Sequence, residues 1–147
     1  MTASLLLRRA TPADQADLLP LIAEFYAIDQ HEYEPAVVER ALTGLLESDT
    51  YGFVLLAAAP DPIGYAVVTW SYSLESGGRD CLLYEFYVRS RGQGIGSALL
   101  TASFEAARAG GATRMFLETE AHNARVRGLY ARHGFALEDS VWMARPL

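Results

Sequence analysis

The chain has 147 residues, 51% hydrophobic and 20% charged, with a formal net charge of −6. That mixture excludes a disordered chain and fits one domain over residues 1–147, which can bury roughly 70% of its unfolded surface. A single cysteine, Cys81, excludes an intrachain disulfide and a multi-cysteine metal site, and the lack of lysine excludes Schiff-base chemistry on the protein and a P-loop.

Leu5–Arg9 is expected as a short strand. Thr11-Pro12-Ala13-Asp14 has the form of a helix start, with a Thr cap, Pro at the first helical position and an acid in the first turn. Leu18, Leu19, Ile22, Phe25 and Tyr26 recur at helical spacing, which predicts a helix to about Asp29. After a polar joint, Asp29–Glu34, a second helix opens at Pro35 with Val37, Val38, Leu42, Leu45 and Leu46 on its apolar side. Tyr51–Ala59 and Gly64–Ser73 form a hairpin around Pro60-Asp61-Pro62. Leu74–Arg79 is a loop, and Asp80–Arg89, rich in aromatic and aliphatic residues, is a central strand. Ser90–Gly96 is a glycine-rich loop. Ser97–Ala109 is a helix stopped by Gly110-Gly111. Thr113–Glu120 is a strand, His122–His133 a helix ended by Gly134, and Phe135–Arg145 a final strand. The order is β-α-α-β-β-β-α-β-α-β, an α/β arrangement. Its strand–helix–strand unit from Asp80 to Glu120 predicts a parallel pair with a right-handed crossover.

Charge is unevenly spread. Residues 1–60 hold nine acids against three arginines, and residues 61–147 hold nine of each. An acidic chain is a poor partner for nucleic acid, whose binding rests on neutralising phosphates. The apolar run Phe53–Ala59 is far shorter than the ~20 residues needed to span a bilayer. The first nine residues lack the order of a secretory signal. These features lead us to expect a soluble, cytoplasmic protein without a membrane partner.

The segment Arg91-Gly92-Gln93-Gly94-Ile95-Gly96 lies between a strand and a helix. Glycines there let consecutive N–H groups face an anion, and the helix adds its positive end. The bland alternative is a tight strand-to-helix turn. A dinucleotide fingerprint fails, because Ser97 and Leu99 stand where its third glycine belongs, and a P-loop fails for want of lysine.

Arg91, Gly94 and Gly96 supply an R-x-x-G-x-G signature. Asn123-x-x-Val126-x-x-Leu129-Tyr130-x-x-x-Gly134-Phe135 supplies a second one after the next strand. On both, and on the element order, the chain resembles the GNAT N-acetyltransferases over nearly its whole length. The stretch Tyr65–Asp80 is similar to a bacterial subgroup of unassigned substrate. Two departures stand out. Val88-Arg89-Ser90-Arg91-Gly92 lacks the family's proline and is two residues shorter. Where polyamine-acetylating relatives carry two adjacent acids, this chain has Tyr84-Glu85.

The resemblance implies a mixed, splayed sheet with helices on both faces. It implies acetyl-coenzyme A as co-substrate, a primary amine as acceptor, and no metal. The pantetheine arm would pair with backbone at Tyr87 and Val88. The pyrophosphate would lie on Arg91, Gly92, Gln93, Gly94, Ile95, Gly96 and Ser97. Asn123 would contact the pantetheine, with a helix cap as the alternative. Tyr130 matches the family's general acid, with packing of the final helix as the alternative. Direct transfer needs the amine deprotonated, the carbonyl oxygen stabilised and the departing sulfur protonated or hydrogen-bonded. Glu85, an acid within an apolar strand, is the candidate base, and an ion pair to an arginine is the alternative. It is expected to share a strand face with Leu83 and Tyr87.

Asp29, Glu32 and Glu34 cluster at the joint between the first two helices. They would form an acidic rim attracting a cationic acceptor. The alternative is a solvated face. Asp80 is open to pairing with Arg79 or with substrate. Trp70 and Tyr72 would stack on an acceptor if they flank the cleft. Val141, Trp142 and Met143 suggest a homodimer contact. Two rival functions stay open beside transfer to a small amine: a coenzyme A-binding sensor without catalysis, and transfer to a protein or peptide.

Overall fold

The computed structural model describes residues 4–90, 92–119 and 123–147. Its elements are β1 (Leu6–Arg9), a 3-10 turn (Pro12–Asp14), α1 (Gln15–Ile28), α2 (Pro35–Glu47), β2 (Gly52–Ala58), β3 (Pro62–Ser73), β4 (Gly78–Val88), α3 (Ile95–Ala109), β5 (Met115–Leu117) and α4 (Ala124–Arg132). The strands form one five-stranded sheet in the order β1-β2-β3-β4-β5. The first four pair antiparallel, and β4 pairs parallel with β5 across the α3 crossover, as expected. No described helix is long and apolar enough to cross a membrane.

Each sheet face buries its own layer of helices. On one side Leu18, Leu21, Ile22, Leu42 and Leu46 of α1 and α2 pack on Val54, Leu56, Tyr65 and Val67. On the other, Leu99, Leu100 and Ala107 of α3 and Tyr130 of α4 pack on Phe53, Leu55, Ala66, Val68, Cys81 and Leu83.

The predicted start signal works through a tight first turn. The Thr11 N–H donates to the Asp14 carboxylate at 2.7 Å, and the Asp14 N–H donates to the Thr11 carbonyl at 2.8 Å. Arg8 closes a two-pronged pair on Asp14, 2.7 Å for each bond, and so ties β1 to the helix start. The guanidinium holds the Asp14 carboxyl down to about 2, from an ordinary 3.8. Glu24 and Asp80 are also lowered, through hydrogen bonds from Arg89 and from Ser71 respectively. Groups lowered in the folded state stabilise it above the unfolded value and lose that contribution as pH falls through the folded one. Stability from urea titration should therefore hold down to about pH 5 and fall between ~4 and ~2. Asp14→Asn should flatten that fall. Equal stability at pH 6 and pH 3 would remove these pairs from the account.

Register holds one surprise. Val67 pairs with Glu85, but the next residue, Val68, pairs with Leu83. Tyr84 is therefore an extra residue, a β-bulge, and it reverses the alternation of β4. Leu83 packs in the α3 layer, whereas Glu85 and Tyr87 turn toward α1. The expected common face of Leu83, Glu85 and Tyr87 survives only for the last two.

Two expected strands differ. The strand predicted over Thr113–Glu120 forms only over Met115–Leu117, with Glu120 outside the described residues. The final strand predicted over Phe135–Arg145 is absent, so the observed order ends on α4. Leu137 and Met143 are at least nine-tenths exposed. The segment is tethered by Phe135 against Phe104 and Tyr130 and by an Arg114–Glu138 ion pair. Strand propensity reflects packing on a paired, half-buried surface, and the three-residue β5 offers little edge to pair with.

Candidate functional site

The site begins where β4 and β5 part. They pair only over Cys81–Leu83 and Met115–Leu117, after which the bulge at Tyr84 turns β4 away. From Tyr84 to Val88 the side of β4 toward β5 has no strand partner among the described residues. Such unpaired backbone can take an extended ligand as an added strand. Tyr87 and Val88 lie on this stretch, held from the other side by Tyr65 and Gly64 of β3.

Beyond Val88 the chain turns into α3. Gly92 and Gly94 have φ of 78° and 75°, left-handed values that β-carbons tolerate poorly. A Cβ added at either would meet nothing within 4 Å, so the concavity is open. Gly94 caps the helix, and its carbonyl accepts from Ala98 at 3.1 Å. The N–H groups of Ile95, Gly96 and Ser97 precede that bond at the positive end of a 15-residue helix. This combination suits a phosphate. Gly96 has a second role, since its Cβ would stand 3.3 Å from Leu129 of α4. Ile95 is buried in the core, so only its backbone faces the turn, while Gln93 is exposed. Arg91 lies outside the described residues. Arg89 points back to α1, donating from Nε to Glu24 at 3.0 Å and forming an ion pair with it.

At the divergence of β4 and β5 opens a cleft of about 420 Å³ lined by α1 and its following joint, β4, the residues after β5, α4 and the C-terminal segment. Glu85 lines it, and its carboxylate accepts from two phenols: Tyr26 at 2.7 Å on Oε2 and Tyr65 at 2.8 Å on Oε1. The two phenols are its partners among the described residues, in the place the ion-pair alternative gives to an arginine. Burial and the Glu85 charge push both phenols up, so they remain donors. Tyr130 lines the same cleft and is 8% exposed, its ring edge-on to Phe86 and Phe135 at 6.0 and 5.7 Å. Burial, then the charge of Asp29, raises its phenol, so it too stays protonated. Asn123 stands at the N-cap position of α4 without a side-chain capping bond and faces the cleft. Asn123 is thus the cap residue by position, its carbonyl accepting from the Arg127 N–H at 3.2 Å.

The acidic rim is partly as expected. Asp29 and Glu32 line the cleft and Glu118 joins them. Glu34 does not line it and instead occupies the N-cap position of α2. His31 lines the cleft as well, 2.9 Å from Asp29.

Other expectations move elsewhere. Trp70 packs on Phe53, under the Arg79 guanidinium, and donates to the Asp49 carbonyl at 2.9 Å, away from the cleft. Tyr72 is exposed and also absent from the lining. Asp80 meets neither Arg79 nor a substrate site. It is buried and accepts from Ser71, Ser73 and Ser76 at 2.5, 2.8 and 2.9 Å, fastening the β3–β4 turn. Cys81 is core, its thiol pushed up to about 11 by burial. The sequence reading missed Tyr26 and Tyr65 as partners of Glu85, and Trp142 as a wall of the cleft. Among the described residues no group of three or more His, Cys, Asp and Glu could hold a metal ion.

Comparison with known proteins bears on the family and the fold. Residues 17–135 match the family model described as the acetyltransferase (GNAT) family. The chain is 27% identical over 131 residues to the uncharacterized N-acetyltransferase YhfO of Bacillus subtilis (strain 168), covering 88% of each. Among solved structures it is similar to integron cassette protein HFX_CASS3 from the mobile metagenome of Cole Harbour Salt Marsh. That match has a TM-score of 0.85 and 28% identity, over 96% of this chain and 90% of the other. A protein from Arthrobacter sp. FB24 superposes with a TM-score of 0.82 and 29% identity, over 97% and 96%.

Proposed function

Since the chain belongs to the acetyltransferase (GNAT) family and is an N-acetyltransferase, we propose that it moves acetyl from acetyl-coenzyme A directly to a primary amine. It does so as one domain, in the cytoplasm, on a small molecule in preference to a protein. The observation that carries the reading is that Glu85 and Tyr130 line one cleft at the divergence of β4 and β5. A coenzyme A-binding sensor would have no use for that pairing.

Backbone of Tyr87 and Val88 pairs with the pantetheine amides, and Asn123 hydrogen-bonds the same arm. The turn from Gly92 through Gln93, Gly94, Ile95 and Gly96 to Ser97 holds the pyrophosphate, and Arg91 is given the same role on its place in the sequence signature alone. Glu85 takes a proton from the acceptor ammonium, directly or through water. The amine nitrogen bonds the carbonyl carbon, the C–S bond breaks, Tyr130 donates its O–H hydrogen to the departing sulfur, and the second proton of the former amine passes through water to the Tyr130 oxygen, which leaves the amide and a restored phenol. Asp29, Glu32 and Glu118 favour a cationic acceptor. We also propose a homodimer through Val141, Trp142 and Met143, supported by their exposure.

Acetyl-coenzyme A should raise the melting temperature. At a hundred times Kd the gain is about 2.7 kcal/mol, or roughly 5–10 °C for a chain of this size. An amine panel should then release thiol, fastest with a cationic acceptor. That rate should fall as salt shrinks the Debye length from ~10 Å at 0.1 M to ~3 Å at 1 M. No thermal shift at millimolar acetyl-coenzyme A would overturn the assignment, and an anionic best acceptor would remove the rim from it.

A further inference from the structure

We propose that His133 is a positioning residue for the cofactor turn: its imidazole directs the Ser97 hydroxyl so that the hydroxyl hydrogen is free for the pyrophosphate of coenzyme A. This rests on the reading of the α3 start as the pyrophosphate site.

Ser97 is the third residue of α3, and its Oγ lies 3.0 Å from His133 Nε2 at the end of α4. A hydroxyl has one hydrogen. When Nε2 is bare, Ser97 must donate to the ring, and nothing is left for an anion. When Nε2 carries a hydrogen, the ring donates to Oγ and the hydroxyl donates onward. An anion at the helix start selects the second arrangement, in which both bonds run the same way and strengthen each other.

The surroundings hold the ring in place for this. The His133 N–H bonds the Leu129 and Tyr130 carbonyls at 3.2 and 3.1 Å, and its ring lies 6.4 Å from that of Phe104. Leu129, one helical turn earlier, is the residue whose approach Gly96 permits. One α4 face thus meets Gly96 through Leu129 and Ser97 through His133. His133 also lines a cavity of about 230 Å³ with Arg108 and Arg114, and among the described residues no carboxylate lines it.

The test measures affinity, so it needs no acceptor. Calorimetry would compare coenzyme A with pantetheine, which lacks the pyrophosphate, on the parent, His133→Ala, His133→Gln, Ser97→Ala and the Ser97→Ala/His133→Ala double. His133→Ala should weaken coenzyme A about 3- to 10-fold, the weight of one hydrogen bond, and leave pantetheine unchanged. His133→Gln keeps a side-chain N–H and should restore most of the loss. The double variant should bind no more weakly than Ser97→Ala alone, since the two residues act through one contact. Multiplying losses in the double, or a matching loss for pantetheine, would overturn the proposal and leave His133 a packing residue. An unchanged Kd in both His133 variants would do the same while sparing the acetyltransferase reading. A parent that binds no coenzyme A would sink both.

Discussion

Tyr130→Phe is expected to lower turnover by roughly 10²–10⁴, the usual span for a positioned acid. The substitution removes one oxygen and keeps the ring that packs against Phe86 and Phe135. Melting temperature and the thermal shift given by acetyl-coenzyme A should therefore barely move. The phenol is raised above its ordinary 10.0 by burial and by Asp29. It is thus a full donor throughout the neutral range, and the loss should be of similar size from pH 6 to pH 9. Single-turnover kinetics make the measurement decisive, because slow product release can mask a lost acid. Parent turnover in Tyr130→Phe, with chemistry shown to be rate-limiting, would return Tyr130 to its packing role.

What was legible in the sequence was local. The period of Leu18, Ile22 and Phe25, Pro35 at a helix start, and the glycines at 92, 94 and 96 each act within one turn of chain. These features gave α1, α2 and the glycine turn close to their observed bounds. The parallel crossover was legible for a related reason, since handedness leaves it one form. The bulge was not. An extra residue at Tyr84 exists only relative to β3, so no reading of β4 alone could show Glu85 switching faces. The partners of Glu85 were hidden likewise, 59 and 20 residues away on α1 and β3. The C-terminal segment misled in the opposite direction. Val141-Trp142-Met143 has strand composition, but strand structure needs a neighbour, and Trp142 ended as a wall of the cleft.

Glu85→Gln is expected to cut kcat/KM for the acceptor amine by roughly 10²–10⁴ while the acetyl-coenzyme A thermal shift persists. The phenols make this a sharper test than usual. Tyr26 and Tyr65 each donate to a different carboxylate oxygen. A glutamine presents one oxygen and one NH₂, so one phenol loses its acceptor and must turn round. That mismatch costs stability by about 1–3 kcal/mol if it stays unsatisfied. Activity and stability are therefore separate readouts. A hub that only fastened α1 to the sheet would lose melting temperature and keep its rate. A base would lose its rate whatever happens to the melt. Tyr26→Phe and Tyr65→Phe sharpen the distinction. Each leaves a charged carboxylate with one fewer anchor, so each should lower the rate by less than Glu85→Gln does. In the Glu85→Gln background neither should lower it further, because residues acting through one group are not additive. Acetyl transfer by Glu85→Gln at the parent rate would take Glu85 out of the chemistry and leave the two phenols as structural ties.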